Sequence, residues 1–240
     1  MAWEDLKRAL AMLLTKEPTV SGVAAAIVSL TLSWTFYVPV HEMMHVAGCL
    51  ATGGSVTEVR LAPIYGGTIL AALFPFVTDA GSGYPGRLTG FDTHGSDLCY
   101  LATDLAPYLL TILIGVPLLR SLSRRKERFS GWLFGPAVVL ASAPFLSLMG
   151  DYFEMGTVLM TAPPILRGFH LLRSDDLFRM VGETSRHEIN PGPRDLLIVL
   201  LSLGIAFALA SWTYRAGVGW DAILIRWGSR ASQAPAAPRR

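Results

Sequence analysis

The 240-residue chain contains 52% hydrophobic and 16% charged residues, and its mean hydropathy is +0.44. An average soluble domain carries about 25% charged residues, so this chain has too few charges to cover a water-soluble globule of its size. Its net charge of +2 is too small to indicate nucleic-acid binding. The apolar residues are gathered into long runs, which indicates a lipid environment.

The first fifteen residues predict an amphipathic helix. Apolar side chains recur at helical spacing opposite the charged ones, and Glu4 and Asp5 interrupt the segment before any apolar run long enough for a cleaved signal peptide. Such a helix either lies on a membrane surface or packs against the rest of the protein. We expect an interfacial helix at the start of a single membrane-embedded domain, residues 1–230.

Four apolar runs predict transmembrane helices, each of which needs about 20 residues to cross the hydrocarbon core. The runs cover residues 20–40, 101–119, 129–150 and 196–212. Only the second contains a charge, Asp104, whose cost of about 2.5–3.5 kcal/mol at the bilayer centre can be offset by the surrounding leucines and isoleucines. The predicted fold is an all-α, multi-pass integral membrane protein.

The segment of residues 61–78 is uncharged but is not expected to form a straight helix. It contains Pro63, Gly66, Gly67 and Pro75, which break or weaken helices. The alternation of side-chain types in SVTEVRLAPIYGGT, which leads into this segment, is typical of a β-hairpin or a re-entrant loop. Non-helical backbone at membrane depth is tolerated only where protein or water satisfies its polar groups, so this segment is expected to line a cavity.

Basic residues give the predicted orientation. They cluster before the first run, between the second and third, and after the fourth. Basic loops favour the cytoplasmic side, so four spans with both termini in the cytoplasm satisfy all three clusters. Further arginines between residues 167 and 194 lie on the other side, in a long segment that this rule governs weakly. The Ala- and Pro-rich residues 231–240 are predicted to be disordered.

The strongest local motif is HEMMH at residues 41–45, which fits H-E-x-x-H. On a helix, His41 and His45 lie on one face a single turn apart, so both imidazoles reach one metal ion. Glu42 stands beside them, where it can act on water as a general base. The motif directly follows an uncharged run, where ionisable groups are costly and usually functional. It predicts a zinc site.

The segments HEMMHVAGCLATGG and SVTEVRLAPIYGG resemble the site-2 protease family of membrane-embedded zinc metalloproteases, including its shorter bacterial branches. Members follow HExxH with small residues, a glycine-bounded turn and a β-like segment with a glycine pair. Weaker likenesses are APYLLTILIGVPLL, similar to a proline-containing core helix, and PFLSLMGDYFEMG. The resemblance covers residues 20–166 and implies Zn²⁺ as cofactor and the bacterial inner (cytoplasmic) membrane as location.

Catalytic zinc takes three protein ligands, so His41 and His45 require one more. Asp151 stands where the family places its third ligand, in an Asp-Gly motif, although Tyr152 follows it here. The apolar run before it is expected to break near Pro144 and Gly150, which would let Asp151 turn toward the histidines. The alternatives are Asp104, Glu154, His94 and Asp97.

The resemblance implies peptide hydrolysis, in which zinc polarises the scissile carbonyl and activates a water while Glu42 transfers the proton. It also implies a membrane-spanning or membrane-associated protein as substrate. We expect this substrate to bind by β-strand addition at Tyr65, Gly66, Gly67 and Thr68. The alternatives are a non-proteolytic zinc-binding membrane protein and a metal transporter, although transporters often show internal repeats and none is visible here.

Overall fold

A computed structural model describes residues 2–14, 20–80, 85–125, 131–162, 177–186 and 192–232. Of residues 231–240, which were predicted to be disordered, Ala231 and Ser232 end the last helix instead, and residues 233–240 lie outside the described residues. The helices are α1 (Ala2–Leu14), α2 (Val20–Ala51), α3 (Gly67–Leu73), α4 (Asp97–Leu105), α5 (Val116–Arg124), α6 (Phe134–Leu146), α7 (Asp151–Thr161), α8 (Leu177–Ser185) and α9 (Pro193–Ser232). The strands are β1 (Ser55–Leu61), β2 (Val77–Asp79) and β3 (Gly86–Asp92).

The described residues include four helical stretches that are long and apolar enough to cross a membrane. They are Val20–Ala51, Asp97–Arg124, Gly131–Thr161 and Pro193–Ser229. Large apolar side chains such as Phe36, Leu200 and Phe207 are exposed on their outer faces, where lipid rather than water would solvate them favourably. Three stretches contain a predicted run whole, and the third, Gly131–Thr161, contains residues 131–150 of the run 129–150, so the four predicted apolar helices are confirmed.

Two of these stretches are irregular. In Asp97–Arg124, α4 passes into a 3₁₀ turn at Pro107 and then into a π-helical turn, Thr111–Gly115, before α5 begins. The hydroxyl of Thr111 donates to the carbonyl oxygen of Leu140 at 2.7 Å, so the widened turn is fixed against α6. In Gly131–Thr161, α6 ends at Leu146 and α7 begins only at Asp151. This confirms the break predicted between Pro144 and Gly150.

The segment after α2 folds as a three-stranded sheet in the order β2-β1-β3. Strand β1 pairs in parallel with β2, Val59 opposite Val77, and antiparallel with β3, Val59 opposite Leu88. The buried side chains of Val59, Leu61 and Val77 pack on Val38 and Val46 of α2. The sheet therefore lies directly against the helix that carries the HExxH motif.

The predicted β-like segment after α2 is confirmed at Ser55–Leu61, which form β1, but it does not continue into residues 63–73. Pro63–Tyr65 form a 3₁₀ turn, Gly66 adopts the left-handed region with φ of 81°, and α3 begins at Gly67. The alternation that favoured a strand therefore ends at Leu61. Because Tyr65, Gly66, Gly67 and Thr68 are not extended, they offer no strand edge to a substrate.

Helix α1 packs against the bundle with one face and leaves the other exposed. Ala9 is fully buried beside Leu119 and Leu122 of α5, and Asp5 accepts a hydrogen bond from the hydroxyl of Tyr214 at 2.9 Å.

An ion-pair cluster joins α5 to α9. Asp221 of α9 accepts two hydrogen bonds from Arg124 at 2.6 and 2.8 Å and pairs with Arg120 at 3.3 Å. The helix at the amino end and the last part of α9 thus lie at the same end of the bundle.

Candidate metal centre

Helix α2 places the two histidines of the motif on one face. His41 and His45 are four residues apart, and their Nε2 atoms lie 3.0 Å from each other. The Oδ2 atom of Asp151 lies 3.1 Å from His41 Nε2 and 3.5 Å from His45 Nε2. These three residues form the one group of potential metal ligands found among the described residues, with ligand atoms within 4.8 Å of one another.

Asp151 reaches the histidines because the third long stretch is broken. The chain leaves α6 after Leu146, turns through Ser147 to Gly150, and restarts as α7 at Asp151. Gly150 has φ of −102° and ψ of −117°, a conformation outside the helical region. The first residue of α7 therefore points into the bundle instead of continuing along the axis of α6.

All three side chains are held by further contacts. The Nδ1 atom of His41 lies 2.8 Å from the hydroxyl of Tyr37, one turn earlier on α2. The Nδ1 of His45 lies 2.8 Å from the carbonyl oxygen of Thr103, to which it can only donate. The hydroxyl of Tyr108 donates to Asp151 Oδ2 at 2.5 Å. Such outer contacts fix the tautomer and orientation of metal-binding side chains, and leave both Nε2 atoms directed at the shared centre.

The spacing of the three ligand atoms suits a tetrahedral ion. Ligand bonds of about 2.0–2.1 Å place two ligands of a tetrahedral zinc about 3.3 Å apart, and the three observed separations are 3.0, 3.1 and 3.5 Å. Three protein ligands leave a fourth position open, as in catalytic zinc sites. Two imidazoles and a carboxylate are also common to iron, nickel and copper sites, so the donor set fits zinc without selecting it.

Glu42 lies beside the three ligands but outside their group. Its side chain is buried, and its carboxylate accepts a hydrogen bond from the backbone N–H of Leu88 in β3. Gly86 of β3 packs against it so closely that a Cβ atom there would lie 2.8 Å from Glu42 Cγ. Strand β3 thus holds the carboxylate in place, and a side chain at position 86 would displace it.

The site opens into a cavity of about 470 Å³. Residues from α2, β3, α4, α6 and α7 line the cavity, among them His41, Glu42, His45 and Asp151. The apolar side chains of Trp34 and Leu146 line it as well. A cavity of this volume has room for a short stretch of peptide beside the candidate metal centre.

Of the alternative ligands, Asp104 and Glu154 line the cavity without joining the three-residue group. His94 and Asp97 do not line it. His94, at φ of 51°, pairs instead with Asp92 at 3.2 Å, and both side chains are exposed. The structure therefore brings Asp151, and none of the four alternatives, to the two histidines.

The predicted substrate-binding residues lie away from this cavity. None of Tyr65, Gly66, Gly67 and Thr68 lines it, and the Thr68 hydroxyl donates at 2.6 Å to Asp79 of β2, at the opposite edge of the sheet from β3. The sequence reasoning missed β3, which lines the cavity instead. It also missed Tyr37, although its spacing of four residues before His41 is a visible signal.

Comparisons with known proteins add no assignment. The chain matches no family model, and neither curated proteins nor solved structures give a match. The function must therefore be inferred from the site itself.

Proposed function

We propose that this protein is a membrane-embedded zinc metallopeptidase that hydrolyses peptide bonds of membrane or membrane-associated proteins. The observation that carries this proposal is the convergence of His41, His45 and Asp151 on one point, with Glu42 beside them in the same cavity. The four apolar helical stretches support a membrane location. The resemblance of the HExxH region to site-2 proteases points to the same reaction.

His41, His45 and Asp151 would hold the ion. Zinc, when bound, supplies Lewis-acid chemistry, by which it polarises a carbonyl group and makes water more acidic. Glu42 takes a proton from the attacking water and returns it to the leaving amine. The N–H of Leu88 keeps the Glu42 carboxylate oriented toward the cavity. Tyr37 and Thr103 hold the two imidazoles, and Tyr108 holds Asp151.

The edge of β3 is suited to bind an extended peptide. Within the described residues β3 has one neighbour, β1, and the N–H of Leu88 points away from it toward Glu42. The unpaired edge of the strand therefore faces the cavity. A peptide added along this edge would run past Glu42, with main-chain hydrogen bonds holding it. This assigns to β3 the role that the sequence reasoning gave to residues 65–68.

Two other functions agree less well with the site. A purely structural zinc site usually closes its coordination with a fourth protein ligand, whereas the group here has three and an adjacent carboxylate. A metal transporter is often built from paired internal repeats, whereas no internal repeat is visible in this sequence.

Zinc content and cleavage together test the proposal. We expect about one zinc ion per chain in the purified protein, and loss of that zinc in the His41→Ala, His45→Ala double variant. Reconstituted wild-type protein should cleave a membrane-protein substrate, and a chelator should stop cleavage reversibly. Stoichiometric zinc in the double variant would place the metal elsewhere and refute the assignment. Cleavage that survives complete metal removal would refute the mechanism.

A further inference from the structure

The cavity contains two carboxylates that the proposed reaction does not use. Asp104 of α4 and Glu154 of α7 both line it. Asp104 is only 5% exposed, and its Oδ2 atom has no hydrogen-bond partner among the described residues. Glu154 acts on it as a like charge, His45 as an opposite charge and Asp151 as a second like charge. A buried carboxylate oxygen without a hydrogen-bond partner is costly, and a cation that enters the cavity would relieve that cost.

The cation that fits is organic rather than metallic. A second divalent ion would need at least three converging ligands, and the described residues contain only the group of His41, His45 and Asp151. The walls beside the carboxylates are aromatic: Phe91 and Tyr100 line the cavity with their ring centroids 5.5 Å apart. Aromatic faces attract ammonium and guanidinium groups and bury the alkyl stem that carries them.

Glu154 is also positioned to bind an ammonium or guanidinium group. Its Oε2 atom accepts a hydrogen bond from the Tyr100 hydroxyl at 2.6 Å. Tyr100 thus contributes its ring to the wall and its hydroxyl to the carboxylate. Among the described residues that line the cavity there is one lysine or arginine, Arg87, and it lies on β3. The end of the cavity formed by α4 and α7 is therefore acidic.

We infer that Asp104 and Glu154, with Phe91 and Tyr100, form a subsite for a lysine or arginine side chain of the substrate. This inference rests on the proposed function, because it takes the ligand to be a peptide lying along β3. Phe91 follows Leu88, the residue beside Glu42, by about 10 Å along the strand. The basic side chain therefore lies about three residues from the bond that is cut.

Binding to an inactive variant tests the subsite apart from catalysis. Zinc-loaded Glu42→Gln protein is titrated with apolar peptides that carry either lysine or norleucine at one position, moved stepwise along the peptide. At one position we expect lysine to bind about tenfold more tightly than norleucine, because a charged hydrogen bond replaces an apolar contact. Adding Asp104→Asn should abolish that preference, and Glu154→Gln should reduce it.

The matched control is Glu58→Gln in the same background. Glu58 is a carboxylate on β1 that does not line the cavity, and hydrogen bonds from Arg60 and then Thr89 lower its pKa, so it is ionised at neutral pH. Its removal should leave the lysine preference intact. Equal changes in the Glu58 and Asp104 variants would mean that only the overall charge matters, which overturns the subsite.

The remaining outcomes separate the two proposals. Equal binding of lysine and norleucine peptides at every position overturns the subsite, as does a preference that survives both Asp104→Asn and Glu154→Gln. Loss of zinc from the Asp104→Asn protein would make Asp104 a ligand and also overturn it. If lysine is preferred through Asp104 but the zinc-loaded wild type cleaves none of the peptides, the subsite stands and the proposed peptidase function fails.

Discussion

Replacing Gly48 by alanine should weaken the metal centre without touching a ligand. Gly48 lies where α2 crosses α4, and a Cβ atom there would lie 2.6 Å from Ala106 Cβ and 2.7 Å from the Ala102 carbonyl oxygen. Two atoms in ordinary van der Waals contact lie about 3.5–4.0 Å apart. To reach that distance, α2 and α4 must move apart by about 1 Å. The 2.8 Å contact between His45 Nδ1 and the Thr103 carbonyl oxygen would then exceed hydrogen-bond length.

Two magnitudes follow from this displacement. Overpacking of a tight contact costs about 1–3 kcal/mol, whereas alanine in a helix gains about 1 kcal/mol over glycine. Gly204→Ala in α9 is the matched control, because nothing lies within 4 Å of a Cβ atom at that position. The free energy of unfolding of the Gly48→Ala protein should therefore be about 1–3 kcal/mol lower than that of the control. Loss of the outer contact to His45 should weaken zinc binding about 10- to 100-fold.

Thermal unfolding in detergent and competition with a zinc chelator measure the two effects on both variants. A Gly48→Ala protein that matches the Gly204→Ala protein in unfolding and zinc affinity would refute the close crossing of α2 and α4. Reduced stability with unchanged zinc affinity would refute the role of Thr103 in holding His45.

Four other predictions concern the site and the topology. Glu42→Gln should abolish cleavage with zinc content unchanged, because the role proposed for the residue is proton transfer and not coordination; loss of metal would contradict that role. Asp151→Ala should lower both the zinc content per chain and the activity, whereas Asp104→Ala should retain zinc. If identical purifications give the reverse pattern, Asp104 and not Asp151 is the third ligand. Tyr37→Phe should weaken zinc binding by about tenfold at most, with cleavage restored at high zinc, and unchanged affinity would exclude the contact to His41. Reporters at Arg125 and at both termini should all score cytoplasmic, and termini on opposite sides would require an odd number of spans.

The sequence predicted the parts of the site that depend on local spacing. His41 and His45 share a face because an α-helix brings residues four positions apart onto one side. The uncharged run before them predicts that this helix crosses the membrane. The break before Asp151 was signalled by Pro144 and Gly150, since both disfavour a continuous helix. These features needed no knowledge of how distant segments pack.

The sequence did not predict the parts that depend on contacts between distant segments. Strand β3 contains Gly86, Arg87 and Gly90 without a clear alternation, and it becomes a strand because β1 lies beside it. Tyr108 reaches Asp151 across 43 positions, after the 3₁₀ and π turns that reorient its helix. The glycine pair at residues 66–67 was expected in a β-like segment, whereas Gly66 caps the short helix α3, which begins at Gly67.

The length of α2 determines how deep the reaction would take place. At about 1.5 Å per residue, His41 lies about 32 Å along the helix from Val20, and the hydrocarbon core of a bilayer is about 30 Å thick. A helix that enters the bilayer at Val20 therefore carries the histidines almost to the opposite surface, far from α1 and the Arg124–Asp221 pair. Water and a flexible peptide could then reach Glu42 from that surface without a channel through the lipid. Under the proposed function, a membrane-spanning substrate would be cut near the end of its span rather than at its middle.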